Sequence, residues 1–424
     1  MKKILILTLL CVSGLWASAQ HERPVTSVAV CAPADHSCFH FLLSGHQHSD
    51  LVDASGYASF IERVLAVSPE TKALEAELEA ELRNSRVGIG PENPEAEIAY
   101  FIKRNTSFEM NVSQGFDFPT VYVNRGRIAR LSSDKSRAAH SSAMRRLAGQ
   151  AQVMYIDAIY YNNLVTLLEL SLKNADHLVD ILARQLESGD ATALETNKVE
   201  VLRLDASTRY RKALVERDNN LRSMRRMAGL SEDFEVADTL YPLFDIGNTD
   251  DFVARAAELD YDMQGASIDT LIAERQVRLA RSEWAPGFKV GYRLNMDAKE
   301  PSHAVLAGIS IPLWGRAGTM RAAKASREAA HRTAYARKSD LITGLESVRA
   351  SYLSSLETLD QYRGLLRRSN TVELLNKALE AGHISMLEYL SGLDIWFSTV
   401  ESIIENEHDA ALAAATMQLC LTEF

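Results

Sequence analysis

Leu186-Glu187-Ser188-Gly189-Asp190-Ala191-Thr192-Ala193-Leu194-Glu195 and Leu379-Glu380-Ala381-Gly382-His383-Ile384-Ser385-Met386-Leu387-Glu388 are one ten-residue pattern written twice, 193 positions apart. Both run Leu, Glu, a small residue, Gly, two free positions, Thr or Ser, one free position, Leu, Glu. The chemistry of each copy is that of a helical hairpin tip. Glycine takes the left-handed backbone conformation that ends a helix. Three positions on, the hydroxyl of Thr192 or Ser385 is placed to cap the next helix, and Glu195 or Glu388 falls at the third helical position, which completes a capping box. Self-similarity at fixed spacing marks a duplicated architecture.

Working outward, apolar residues on both sides keep helical spacing. Leu164, Leu168, Leu172, Ala175, Val179, Leu182 and Leu186 lead to the first tip; Tyr352, Leu356, Leu359, Tyr362 and Leu366 lead to the second. Steps of three and four are coiled-coil-like seams. No proline interrupts the stretch from about Thr120 to Glu187, or from about Arg316 to Ala381, so each is expected to be a helix of about 100 Å at 1.5 Å per residue. The returning helices, about Leu194 to Ala228 and Leu387 to Leu421, are half as long. A shorter pair, about Ala58 to Arg86 and Phe252 to Arg281, supplies the missing half.

Between short and long helices sits a strand hairpin in each copy, at 96–118 and 287–312. Ile98, Tyr100 and Ile102 alternate with other residues up to a polar turn at Lys103-Arg104-Asn105, and Phe108, Met110 and Val112 alternate back. In the second copy Phe288, Val290, Tyr292 and Leu294 rise to a turn between Asn295 and Pro301, and Val305, Ala307, Ile309 and Ile311 return. Period-two patterning over about ten residues is the signature of transmembrane barrel strands. Four strands cannot close a barrel, since bacterial single-chain barrels begin at eight. Three chains supply twelve, and their long helices then continue the tube as a second, helical barrel. Trp284 and Trp314 flank the second hairpin; membrane-interface anchoring and ordinary packing both account for them.

The N-terminus has the form of a secretory signal at 1–19: Lys2 and Lys3, the apolar run Ile4 to Leu10, and Ala17-Ser18-Ala19. Cys11 follows Leu10, where a lipoprotein signal wants a small residue. Beyond residue 19 no stretch approaches the roughly 20 apolar residues that a membrane helix needs, so any crossing is by closed strands. Sparse Gly (21) and Pro (10) among 424 residues fit long helices. A net charge of -10 argues against a nucleic-acid partner, which asks for a basic face.

The remaining N-terminal segment, 20–55, holds five of the eleven histidines, His21, His36, His40, His46 and His48, with Cys31 and Cys38. Imidazole and thiolate are ligands for zinc and copper, which makes His36, Cys38, His40, His46 and His48 candidate metal ligands. The spacing matches no standard zinc motif, and a linker with a Cys31–Cys38 disulfide, leaving Cys420 buried in a helix, accounts for them as well. No phosphate loop, nucleophile elbow, zinc-protease motif or dinucleotide fingerprint occurs, so neither an enzyme nor a cofactor is expected.

The order of helix, strand pair, long helix, glycine tip and return helix, all repeated, resembles the TolC-like outer-membrane efflux proteins from about Tyr57 to Leu421. The most specific pieces are Val112-Ser113-Gln114-Gly115-Phe116-Asp117-Phe118-Pro119, the tips at Gly189 and Gly382, Met227-Ala228-Gly229-Leu230, and Ile309-Ser310-Ile311-Pro312-Leu313-Trp314-Gly315. The resemblance implies a mainly α protein with a small β part: repeats at 56–230 and 231–424 building a trimeric α-barrel joined to a 12-stranded transmembrane β-barrel in the outer membrane. It implies a passive duct for metal ions or drugs in a homotrimer embedded in outer-membrane lipid. Its partners would be a periplasmic adaptor (membrane fusion) protein and an inner-membrane RND-type pump. Gly189, Thr192, Gly382 and Ser385 would form the adaptor-docking tip, and Glu195 and Glu388 a ring of acids at the pore entrance. Ser391 stands where such channels often carry a second acid. The capping box is by itself a sufficient reason for both glutamates. An exported coiled-coil scaffold or adaptor without a pore would explain the hairpins but not the strand pairs.

Overall fold

The structure, a computed structural model, describes residues 55–102, 107–189, 191–296, 300–312, 316–368 and 371–424. The signal sequence, the His/Cys arm, the Cys31–Cys38 pairing, the 103–105 turn and Trp314 lie outside the described residues.

Helices α1 (Ser55–Val67) and α2 (Pro69–Asn84) lead to strands β1 (Glu95–Phe101) and β2 (Ser107–Phe116). Helix α3 (Pro119–Ser188) spans 70 residues, a rod of about 105 Å, and α4 (Ala193–Ala228) returns along it. The second copy repeats the order: α5 (Phe252–Glu258), α6 (Tyr261–Ser282), β3 (Gly287–Met296), β4 (Pro301–Ser310), α7 (Arg316–Arg368), α8 (Thr371–Glu380) and α9 (Met386–Cys420).

Two expectations are corrected. Each short leading helix was expected to run unbroken, and each is divided in two. After Val67 the chain meets Pro69, which has no N–H to continue the helical ladder; Ser68 Oγ instead accepts from the amides of Glu70 and Thr71 at 3.0 and 3.3 Å and starts α2 afresh. Asp260 does the same for α6, accepting from Met263 N at 2.7 Å. The expected second long helix is described as α7 and α8. Cys420, expected to be buried, is half-buried at the end of α9; desolvation raises its pKa and keeps it a thiol at neutral pH.

The four strands form one antiparallel sheet in chain order, β1-β2-β3-β4. Both outer strands have a free edge. Apolar side chains gather in clusters strung along the rod rather than in one core. Near mid-length, Phe60, Val64, Tyr155 and Met224 pack in the first copy, and Phe252, Ala256, Leu345 and Met417 in the second. Phe60 and Phe252 stand 192 residues apart, Met224 and Met417 193 apart, so the duplication extends to the packing. The segment between copies is tied to α3 by side-chain amides: Asn162 donates to the carbonyls of Val236 (2.7 Å) and Asp238 (2.9 Å), and Asn163 to Thr239 (2.9 Å). Backbone that forms no ladder is satisfied in this way by side chains.

Candidate functional site

The molecule has two ends with different chemistry. At one end the sheet sorts its residues by register. Ile98 pairs with Met110, Met110 with Leu294, and Leu294 with His303; Val112 pairs with Tyr292 and Tyr292 with Val305; Phe116 pairs with Phe288 and Phe288 with Ile309. Side chains alternate across a strand, so these residues share one face. The other face carries Glu95, Glu97, Glu109, Asn111, Ser113, Lys289, Arg293, Asn295 and Ser302. It is laced by ion pairs of Lys289 with Glu95 at 3.1 Å and Arg293 with Glu109 at 2.9 Å. Lys289 reaches over β2 to do this. In the single chain the apolar face is uncovered: Val305 is 80 % exposed, Ile309 68 % and Ile98 66 %. A sheet apolar on one side, charged on the other and open at both edges is not a finished structure in water.

At the other end lie the two glycine tips. Gly189 has φ +84° and Gly382 φ +69°, the left-handed region that makes glycine the residue of choice. His383 N donates to Ala378 O at 2.8 Å, closing a Schellman turn, and at the first tip Ala191 N donates to Gln185 O at 3.1 Å. Both capping boxes form. Glu195 N donates to Thr192 Oγ1 at 3.3 Å, and Glu195 Oε2 accepts from Thr192 N and Oγ1 at 2.8 and 2.7 Å. Glu388 N donates to Ser385 Oγ at 3.3 Å, and Glu388 Oε2 accepts from Ser385 N and Oγ at 2.8 and 2.9 Å. These bonds, the backbone one first, hold both carboxyls below the usual glutamate range. Both are therefore anions across the physiological range.

A group with a depressed folded-state pKa supports the fold above its unfolded pKa and loses that support as pH falls through the folded value. Ser385→Ala removes one half of the second box and is expected to cost about 1 kcal/mol of local helix stability, read as faster amide exchange over the first turn of α9. Acid below the glutamate range is expected to reproduce that increase in the native chain.

The tips are brought together by a shared apolar core. Leu182 from α3, Val199 from α4, Val372 from α8 and Leu393 and Trp396 from α9 are all buried in it. Helix α8 lies so close to α9 that a Cβ on Gly392 would stand 2.7 Å from Leu375 Cδ2. Sequence spacing did not reveal the groove of about 430 Å³ that runs between α4 and α9 just behind the tips. Lys198, Val201, Leu202, Leu387, Ser391 and Asp394 line it. Its signal was present only as an exposed apolar series on two helices 190 residues apart, Val201 at 67 % and Leu387 at 50 % exposure.

Among the described residues no His, Cys, Asp and Glu gather as a metal site, and no helix is long and apolar enough to cross a membrane. The candidate ligands His36, Cys38, His40, His46 and His48 lie outside the described residues.

No protein-family model matches the chain, and a search of curated protein sequences finds no match. Solved structures do match. The chain is similar to CusC, described as undergoing folding and transmembrane channel formation, with TM-score 0.73 and 13% identity over 96% of this chain and 99% of that one. It is similar to the outer-membrane channel OprN, with TM-score 0.72 and 12% identity over 96% and 99%. It is also similar to the Campylobacter jejuni CmeC outer membrane channel, with TM-score 0.66 and 12% identity over 87% and 86%. The likeness runs from the sheet to the tips, and the chain has the fold of the TolC-like outer-membrane efflux channels.

Proposed function

We propose that this chain is one protomer of a trimeric outer-membrane efflux channel, a passive duct whose sheet crosses the outer membrane and whose helices extend through the periplasm. The observation that carries the reading is the sorting of the sheet. A barrel wall needs an apolar side for lipid and a polar side for water, and this sheet has both, in a fold shared with outer-membrane channels. Four strands with free edges ask for two further copies, giving twelve strands. Strands β2, β3 and β4 have ten residues each, which, tilted as in membrane barrels, cover the hydrocarbon core.

The tips then face the periplasm. The groove between α4 and α9, beside Gly189, Thr192, Gly382 and Ser385, suits the helical end of an adaptor protein, which in turn would join an inner-membrane RND-type pump. Metal ions or drugs are the cargo classes that fit such a duct, with energy supplied by the pump. A scaffold without a pore leaves the apolar sheet face unexplained.

The test is reconstitution of the purified chain in planar bilayers, with its mass measured in detergent. Discrete conductance steps from a trimer are expected; a water-soluble single chain without conductance overturns the reading. Glu388→Gln then isolates the gate role, because glutamine still completes the capping box while removing charge. Three acids around one axis favour cations, so this variant is expected to lower the cation-to-anion permeability ratio. An unchanged ratio removes the gate and leaves the cap.

A further inference from the structure

Helix α6 is packed on both sides, against α3 and against α7, whereas its counterpart α2 in the first copy packs on α3 and α1. The duplication therefore leaves one contact unmade. Helix α3 lies antiparallel on α6, with Asn124 donating to Ser282 (3.3 Å), Lys135 paired with Asp269 (2.7 Å) and Ser142 bonded to Asp262 (2.8 Å). The equivalent contact one copy on is α7 against α2, and within a single chain these are opposite edges of the helical layer. Only a second chain can supply it.

The charges on those two edges are opposite. Exposed on α2 are Glu75, Glu77, Glu79 and Glu81 against the two cations Lys72 and Arg83, of which Arg83 pairs with Glu79; exposed on α7 are Arg321, Lys324, Arg327 and Arg332. Arg332 is bonded to Glu328 (2.8 Å), while Arg321, Lys324 and Arg327 have no ion-pair partner among the described residues. The register also agrees. Carrying the α3–α6 pairing across by the 193-residue offset of the tips and the 192-residue offset of Phe60 and Phe252 sets Arg321 to Arg332 level with residues 73 to 84. Ala325 and Ala329 then fall level with Ala80 and Ala76, small residues that let two helices approach. The overall polarity, basic on the long helix and acidic on the short one, is that of the contact already made, where Lys135 and Arg146 meet Asp269 and Asp262. The counterparts of Lys135 and Asp269 themselves are Glu328 and Glu77, and Glu328 is taken up by Arg332 within its own helix.

We propose that the basic edge of α7 docks on the acidic edge of α2 in a second copy of this chain, head to tail, so that charge pairing sets the register in which the ring closes. The contact is heterologous, and its rotation must close to give a finite ring rather than a filament. It continues the β4-to-β1 contact between the same neighbours. The inference rests on the trimeric reading above and specifies the surfaces that make it.

The test uses the full chain in detergent micelles, with three charge variants and one cross-link. Reversing α2 (Glu75→Lys, Glu77→Lys, Glu79→Lys, Glu81→Lys) or α7 (Arg321→Glu, Lys324→Glu, Arg327→Glu) opposes like charges. Each is expected to lower the trimer fraction about tenfold at a given protein concentration, and high salt is expected to weaken the native trimer. Combining both sets restores the trimer. Independently of any charge change, Ala80→Cys with Ala325→Cys, the native cysteines being replaced by serine, is expected to give covalent dimers and trimers with a short bis-maleimide only when both cysteines are present. A trimer that yields no cross-link overturns the surface. Single-edge reversals that assemble like the native chain, or a double reversal that stays monomeric with native helix content, overturn the charge pairing. A native chain that never assembles instead overturns the trimeric reading itself.

Discussion

Val290→Arg is expected to keep the chain out of the membrane. Val290 lies mid-strand on β3, paired with Gln114 on β2 and Ala307 on β4, on the face that carries Phe288 and Tyr292 to either side by register. An arginine facing lipid at the bilayer midplane costs about 2–4 kcal/mol in a barrel. A threefold assembly places three such charges in one belt, and their sum is comparable to the whole stability of an ordinary domain. Fractionation should find the variant in the periplasm or degraded, without the heat-modifiable band of a folded barrel. Ala304→Glu is the control. Ala304 stands opposite Arg293 on the charged face, where the new carboxylate shares that guanidinium with Glu109 and, in the proposed barrel, faces the duct; this variant is expected to insert and to change conductance. Equal insertion of both variants would mean that the face assignment is wrong.

Trp396→Ala is the second change with a large expected effect. Its indole is 3 % exposed, set edge-on to Phe397 with ring centroids 5.1 Å apart, in the cluster where α3, α4, α8 and α9 meet. Truncating a buried tryptophan costs about 3–5 kcal/mol, because neighbouring side chains collapse only partly into the space left. The loss is local to the tips. Amide exchange in α8 and the first turns of α9 is expected to rise sharply while the sheet keeps its protection. Uniform loss of protection along the rod would show instead that the clusters act as one cooperative unit. With the groove behind the tips as the proposed adaptor-docking site, the same variant is expected to lose efflux before it loses channel assembly.

How much of this was legible beforehand follows from the range of each interaction. The tips are local: a positive-φ glycine and a serine or threonine three residues later decide where one helix stops and the next starts, and both capping boxes were readable from the ten-residue pattern. The strands were readable as alternation, with the outer bounds of the two hairpins off by at most two residues. The divisions at Ser68 and Asp260 were also local but were passed over, since continuous apolar spacing masked a cap and a proline. Glu195 and Glu388 illustrate a different limit. Their capping bonds were predictable from spacing, whereas a role in a pore depends on which way they face in a ring of three.

By itself the sequence determined the duplication, the helical hairpins with their stops and restarts, and the presence of two strand pairs, because each rests on backbone preferences and side-chain periodicity within a few turns. Tertiary structure alone decided that the four strands join as one sheet with a sorted pair of faces, that the two tips share a core beside a groove, and that α2 and α7 end as opposite, oppositely charged edges. Those facts are contacts between residues some 190 positions apart, and no local preference encodes which distant surfaces meet.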